Sequence, residues 1–248
     1  LWSVGKSQIK ACDPVFKAWY RHSGPSDDVI WQRALRAADA RNTTLLRYLR
    51  KFASATLLVS LQDLGEIYTR PDRVTQKTRG STLRQRDIAV MGLTRLARIN
   101  PGRALAAKQA LASRFEFTAE QTTQMHSLIT RHRLFAQSAA PQCWSTDRLE
   151  ELKDDELTEI YLRSTLRTAD WVSFRHAYEW LSPDKRLSDE WQYWRVIAAA
   201  PGEAEQSESI LKNLSKGRGF HAYLAADILG VSLTLGGQTH TPISGSQV

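Results

Sequence analysis

The histidines are the first residues to test for chemistry, because they act as metal ligands and as acid–base groups. His126 and His132 are six positions apart, so on a helix they are separated by about 600° and face different directions. His176 and Glu179 fit one helical face, but two ligands without a third do not hold a metal. We therefore expect no metal site, and the sequence predicts no cofactor.

The cysteines and the acidic residues point to no chemistry either. Cys12 and Cys143 are 131 residues apart and no CxxC motif occurs, which excludes a disulfide scaffold and a multi-cysteine zinc site. Residues 150–159 contain six carboxylates, but nothing in the pattern sets one acid apart for catalysis. Carboxylates at a helix N-terminus are favoured by the helix dipole, so we interpret this run as structural.

Positive charge is concentrated in the first part of the chain. Residues 1–139 contain 23 basic and 10 acidic side chains, whereas residues 140–248 contain 11 basic and 16 acidic ones. Of the 34 basic residues 24 are Arg, whose planar guanidinium forms bidentate contacts with carboxylate or phosphate. Two interpretations stay open: a solvated basic surface, or a surface for an anionic partner, either nucleic acid or a carboxylate-bearing polymer.

Hydrophobic residues recur at helical spacing along nearly all of the 248 residues. The pattern predicts about a dozen short helices, and Thr118 with Gln121 has the spacing of a capping box at the start of one. Helix pairs recur roughly every 30 to 40 residues, the period of helical-hairpin solenoids. We therefore predict an all-α protein, a superhelical array of short helix pairs (an α-solenoid). No apolar run reaches the roughly 20 residues that cross a bilayer, so no membrane span is expected.

The predicted domain organisation has one main unit. An α-superhelical domain is predicted over residues 1–235, with a sub-boundary near 138–145 where the charge changes sign. Residues 236–248 predict a flexible tail or the start of a linker. Residues 231–235 alternate like a strand, but one strand makes no sheet. The first residues lack the pattern of a signal peptide, and we expect the chain to be a fragment of a longer protein.

Several short segments resemble one known family, the large soluble lytic murein transglycosylases of Gram-negative bacteria. They occur in the order and at about the spacing of that family. The segments are LWSVGKSQ (1–8), ACDPVFKAW (11–19), RNTTL (41–45), DEWQYWR (189–195), and GRGF with LAAD and LG (217–230).

The resemblance implies a fold, an activity and a location. The matching stretches resemble the ring-forming, U-shaped α-superhelical region that precedes a linker domain and a lysozyme-like catalytic domain. The family cleaves the MurNAc–GlcNAc β-1,4 bond of peptidoglycan without water, giving 1,6-anhydroMurNAc products in the periplasm. Its catalytic glutamate lies in a Glu-Ser motif followed by Gly-Leu-Met-Gln. Glu208-Ser209 lacks that sequel, so no catalytic residue is assigned and the chain alone is expected to be inactive. The cysteine matching Cys12 pairs upstream in relatives, which implies that Cys12 is unpaired or pairs with Cys143.

The leading hypothesis is therefore a helical scaffold that positions the linker and catalytic domains of a lytic transglycosylase and guides or binds glycan strands. The stem peptides of peptidoglycan are rich in carboxylates, which suits an Arg-rich face. The candidate residues for binding glycan or stem peptide are Arg84, Arg86, Arg95, Arg98, Arg131 and Arg133. The alternative is a non-enzymatic helical-repeat adaptor that binds a protein partner. No recurring code for single-stranded RNA is present, so no nucleic-acid partner is expected. Truncation would expose apolar faces, so self-association is also expected.

Overall fold

The computed structural model describes residues 2–136 and 142–232, apart from the side chains of 142–145. Over these ranges the chain is helical and contains no strand, which confirms the all-α class. No helix in this part of the chain is long and apolar enough to span a membrane. The helices are α1 (Asp13–His22), α2 (Asp27–Asp39), α3 (Thr43–Leu49), α4 (Ala55–Thr69), α5 (Val74–Lys77), α6 (Leu83–Ala97), α7 (Pro101–Ala112), α8 (Ala119–Ala136), α9 (Gln142–Leu152), α10 (Asp155–Thr168), α11 (Trp171–Tyr178), α12 (Pro183–Arg186), α13 (Asp189–Ile197), α14 (Ala204–Leu214) and α15 (Phe220–Leu229).

The chain divides into two compact units, residues 1–148 and 149–248. The predicted tail at 236–248, and residues 233–235 of the strand-like segment, lie outside the described residues. Cys12 is a free thiol, whereas the side chain of Cys143 lies outside the described part of the chain.

Several helices begin where a short polar side chain accepts a hydrogen bond from one of the first N–H groups. The Oδ1 of Asn100 accepts from the N–H of Arg103 at 2.9 Å, with Pro101 as the first residue of α7. At α8 the Thr118 N–H donates to the Gln121 side chain, and the Gln121 N–H donates to the Thr118 hydroxyl, at 3.1 and 3.2 Å. This reciprocal pair confirms the predicted capping box.

Helix α6 is the centre of the first unit. It packs against α4, α7 and α8, and Ile88 and Leu93 on its buried faces are fully shielded from solvent. A Cβ placed on Gly92 would lie 2.6 Å from methyl groups of Ile67 and Val74. A glycine at this position therefore permits the close approach of α6 to α4 and α5, because any larger residue would collide.

Aromatic packing and one held carboxylate define the core around α10, α11 and α13 in the second unit. Phe174 and Trp191 are fully buried, with ring centroids 6.4 Å apart, so these two aromatic side chains pack between α11 and α13. The indole N–H of Trp191 and the ammonium of Lys185 each donate to Glu159 at 3.0 Å. Burial raises the pKa of Glu159, but these two hydrogen bonds and the charges of Lys185 and Arg163 together outweigh it, so the pKa is lowered.

The same hydrogen-bond motif occurs once in each of the two units. In the first, Asp27 opens α2 and its carboxylate accepts from the N–H and hydroxyl of Ser54, which caps α4. In the second, Asp155 opens α10 and accepts from the same two groups of Ser182, the cap of α12, at 2.7 and 2.6 Å. Both pairs are 27 residues apart in sequence.

The turn inside each copy also repeats. Arg41 and Ala169 have positive φ angles of 57° and 52°. The residues that follow them, Asn42 and Asp170, cap α3 and α11 through their side chains. Each position of the second copy is 128 residues after its counterpart (155 − 27 = 128), although most side chains differ. The two motifs therefore share their internal spacing, and the offset between them is longer than the roughly 30 to 40 residues at which helix pairs were predicted to recur.

Candidate functional site

Four of the six arginines predicted to bind an anionic polymer lie on or directly after α6, and the other two lie on α8. Arg84 is on the first turn of α6 and pairs with Asp28 at 3.3 Å. Arg86, two residues further along, donates to the carbonyl of Glu116 at 3.3 Å. Its Nε is buried and has no partner within the described residues. Both guanidinium groups thus contact neighbouring segments of the fold.

Arg95 and Arg98, at the other end of α6, line a small pocket together with Arg41, Asp39 and Tyr68. The Arg95 guanidinium lies 3.8 Å from the centroid of the Tyr68 ring, and its Nε donates to the Tyr68 carbonyl. Arg95 is therefore fixed by a stacked ring and a hydrogen bond. Arg98 and Arg41 are exposed. We call this group of residues the basic pocket.

The local backbone explains why Arg41 joins the pocket. Helix α2 ends at Asp39, and the Asn42 N–H then returns to the Ala37 carbonyl at 2.8 Å. That hydrogen bond closes the end of the helix through a residue in the left-handed region, which is Arg41 with a φ of 57°. No residue at helical spacing from Arg41 marks it as part of a site. Its place in the pocket follows only from the geometry of the turn after α2.

The electrostatics of the basic pocket are dominated by guanidinium groups. Partial burial raises the pKa of Asp39, and the charge of Arg98 opposes that rise. Burial lowers the pKa of His132 on α8, and the charges of Arg98 and Arg131 lower it further. Arg131 therefore acts on the same region as Arg98, whereas a neutral His132 adds no charge near pH 7. Arg133, the last of the six predicted arginines, also lies on α8.

The chemistry available here is binding. Guanidinium groups with fixed planes accept carboxylates in bidentate fashion, and the pocket offers no nucleophile paired with a base. Among the described residues no group of three His, Cys, Asp or Glu side chains could hold a metal ion. Asp39, Arg41 and Tyr68 were missed by sequence reasoning, because they are contributed by helices and turns distant from α6 in the chain.

The fold and these contacts define a class of protein: an all-α array of helix pairs, with an arginine-lined pocket in its first unit. The chain is a relative of the soluble lytic murein transglycosylases. It is 26% identical over 235 residues to that of Escherichia coli K12 and 27% identical over 241 residues to that of Salmonella typhimurium. These alignments cover 93% and 95% of this chain but 36% and 37% of the relatives, so the chain spans little more than a third of their length.

Solved structures give the same result. An inactive mutant of the lytic transglycosylase Slt from Pseudomonas aeruginosa is similar with a TM-score of 0.79 and 26% identity, over 96% of this chain and 39% of that one. The 70 kDa soluble lytic transglycosylase of Escherichia coli has a TM-score of 0.80 at 24% identity, over 94% of this chain and 38% of that one. The resemblance predicted from the sequence is confirmed.

A family model described as cucumovirus coat protein matches residues 1–90. That match covers less than half of the chain and ends inside α6 (Leu83–Ala97). Because α6 packs against α7 and α8 beyond that point, the matched segment does not correspond to a folding unit of this structure. The similarity that extends over more than nine tenths of the chain therefore carries the assignment.

Proposed function

We propose that this chain is the helical scaffold of a peptidoglycan lytic transglycosylase of the periplasm. The parent enzyme would cleave the MurNAc–GlcNAc β-1,4 bond without water, and its catalytic and linker domains would be the neighbours that the scaffold positions. The similarity to soluble lytic murein transglycosylases over nearly the whole chain supports this role. The proposed contribution of this chain is to position the neighbouring domains and to bind glycan strands.

The observation that carries the binding role is the basic pocket. Arg41 and Arg98 are exposed and line the pocket together with Asp39, and Arg95 stacks on Tyr68. Peptidoglycan carries carboxylates on its stem peptides, which are the groups that guanidinium pairs recognise best. Exposed Arg–carboxylate contacts contribute roughly 1 kcal/mol each, so two of them change affinity by about 30-fold.

The experiment is retention of the chain on insoluble peptidoglycan sacculi across a salt series. We expect retention at low salt, and we expect Arg41→Ala with Arg98→Ala to weaken it by about 30-fold. Arg84→Ala is the matched control, because it lies on α6 but pairs with Asp28, and it should leave retention unchanged. Retention that is equal in the double variant and the wild type would remove the basic pocket from the proposal.

Muropeptide release, measured in the same samples, tests the scaffold role. We expect no anhydromuropeptide from this chain alone, and release would contradict the proposal. Absence of both retention and release at low salt would contradict glycan binding and favour the adaptor hypothesis. Competition by an oligonucleotide that matches competition by soluble muropeptide would show that the pocket binds polyanions without preference for peptidoglycan.

A further inference from the structure

A second cavity of about 290 Å³ lies in the first unit, among the N-terminal segment, α1, α2 and α3. Its walls include four aromatic side chains, Trp2, Phe16, Tyr20 and Tyr48. The indole N–H of Trp2 donates to the Tyr20 hydroxyl at 2.6 Å, which fixes both rings. Tyr48 is 40% exposed, and the Lys51 ammonium lies 5.7 Å from the centroid of its ring. We call this the aromatic cavity.

A buried cation also lines the aromatic cavity. Arg33 is 4% exposed, its Nε donates to the carbonyl of Val4 at 3.3 Å, and its guanidinium lies 4.2 Å from the centroid of the Trp2 ring. Burial lowers the pKa of Arg33, while the nearby tyrosines oppose that effect. No carboxylate of the described residues forms an ion pair with it. A buried charge without a counter-charge is costly, so an anionic group in the cavity would be stabilised by it.

Apart from Leu45, the remaining lining is polar and suits hydroxyl groups. Ser7, Gln8, Asp13 and Thr44 line the same cavity and together supply hydroxyl, amide and carboxylate groups. A pyranose has an apolar C–H face that packs on an aromatic ring, and its hydroxyl groups need several hydrogen bonds. The hydrocarbon chain of an aliphatic acid needs no hydrogen bonds. The volume is at the lower end of the roughly 300–1,000 Å³ usual for small-molecule sites, which suits one ring.

We propose that the aromatic cavity binds a single pyranose ring that carries a carboxylate. The carboxylate lies against Arg33, the C–H face packs on the ring of Tyr48, and the hydroxyl groups contact Asp13 and its polar neighbours. The choice of probe, an N-acetylated sugar with a lactyl carboxylate, rests on the proposed function. The site itself is argued from the cavity alone and is distinct from the basic pocket.

Calorimetric titration of the whole chain tests the proposal with two monosaccharides. N-acetylmuramic acid carries the carboxylate, and N-acetylglucosamine has the same ring without it. We expect the first to bind at least tenfold more tightly, because only it neutralises Arg33. Equal affinity for the two sugars, or no binding of N-acetylmuramic acid at millimolar concentration, would overturn the proposal.

Variants separate the aromatic cavity from the rest of the surface. Tyr48→Ala should weaken the binding of N-acetylmuramic acid by about tenfold, because it removes the ring on which the sugar packs. We also expect the sugar to change the fluorescence of nearby tryptophans in the wild type, and this change should be lost in Tyr48→Ala. Arg33→Gln should abolish the preference for the acid, and Arg33→Lys should restore part of it. Tyr223→Ala, an exposed tyrosine on α15, is the matched control.

The two proposals fail separately. The Arg41→Ala and Arg98→Ala double variant should bind the monosaccharide like the wild type while it loses sacculus retention. Because Arg33 is buried, circular dichroism checks that its variants fold. If they do not, the Tyr48→Ala result decides: unchanged affinity in a folded Tyr48→Ala protein would refute the aromatic cavity as the binding site.

Discussion

His126 makes the stability of the first unit depend on pH. It lies on α8 beside Lys108 of α7 and near Arg148. Burial, and then the charges of Lys108 and Arg148, lower the pKa of His126 from its ordinary 6.5 to about 4. The unfolded chain therefore binds a proton below pH 6.5 that the folded chain does not bind until about pH 4. Since stability rises with pH wherever the unfolded state binds more protons, acidification through this window destabilises the fold.

The magnitude follows from the width of the window. Each pH unit of difference in proton binding is worth about 1.4 kcal/mol, so between pH 6.5 and pH 5 His126 alone could remove about 2 kcal/mol. The ring is only partly buried, and solvent screening reduces that figure to about 1 kcal/mol. Carboxylates act at lower pH: the hydrogen bond from Lys77 lowers the pKa of Glu66 below its usual 4.5.

The assay is urea unfolding of the wild type and of His126→Gln between pH 7.5 and pH 5. We expect the free energy of unfolding of the wild type to fall by about 1 kcal/mol more than that of the variant. His132 also has a lowered pKa, but it is common to both proteins and cancels in the difference. His22→Gln, on the exposed end of α1, is the control and should follow the wild type. Parallel curves for wild type and His126→Gln would refute the reasoning.

Two further substitutions test packing and the repeated motif. Gly92→Ala should lower the free energy of unfolding by about 1 to 2 kcal/mol, because the new Cβ would lie 2.6 Å from methyl groups of Ile67 and Val74. This overpacking outweighs the gain in helix propensity. A variant that is more stable than the wild type in thermal unfolding would contradict the close packing of α6 against α4 and α5. Asp155→Ala should lower the free energy of unfolding, measured in urea, by about 1 to 2 kcal/mol, because it removes both hydrogen bonds from Ser182. An unchanged unfolding midpoint would show that the motif does not stabilise the second unit.

The helices were predictable because their signals are local. The capping box at Thr118 depends on two residues three positions apart, and it is present in the structure. The offset of 128 residues between the two units was not predicted, because the periodicity indicated helix pairs roughly every 30 to 40 residues. The elements that the two units share are a carboxylate in the first turn of a helix, a residue with positive φ and a serine cap. They occur at equivalent positions of the two units, while most side chains between them differ.

The candidate site was less predictable because its contacts are not local. Arg84 pairs with Asp28, 56 residues earlier, and Arg95 reaches Tyr68, 27 residues earlier. Charge counting cannot separate an arginine held by such partners from one that is exposed. The structure divides them: Arg98 is exposed beside Arg41, whereas Arg95 stacks on an aromatic ring.

The burial of the guanidinium groups gives the two pockets of the first unit different responses to salt. Arg41 and Arg98 are exposed, so contacts made by the basic pocket are screened within a Debye length of about 10 Å at 0.1 M salt. Arg33 is 4% exposed, and a carboxylate that reaches it is shielded from counter-ions by the aromatic walls. Sacculus retention should therefore fall steeply with salt, while binding of N-acetylmuramic acid should change little. A scaffold with both would attract a strand through exposed charge and hold one sugar of it through a buried one.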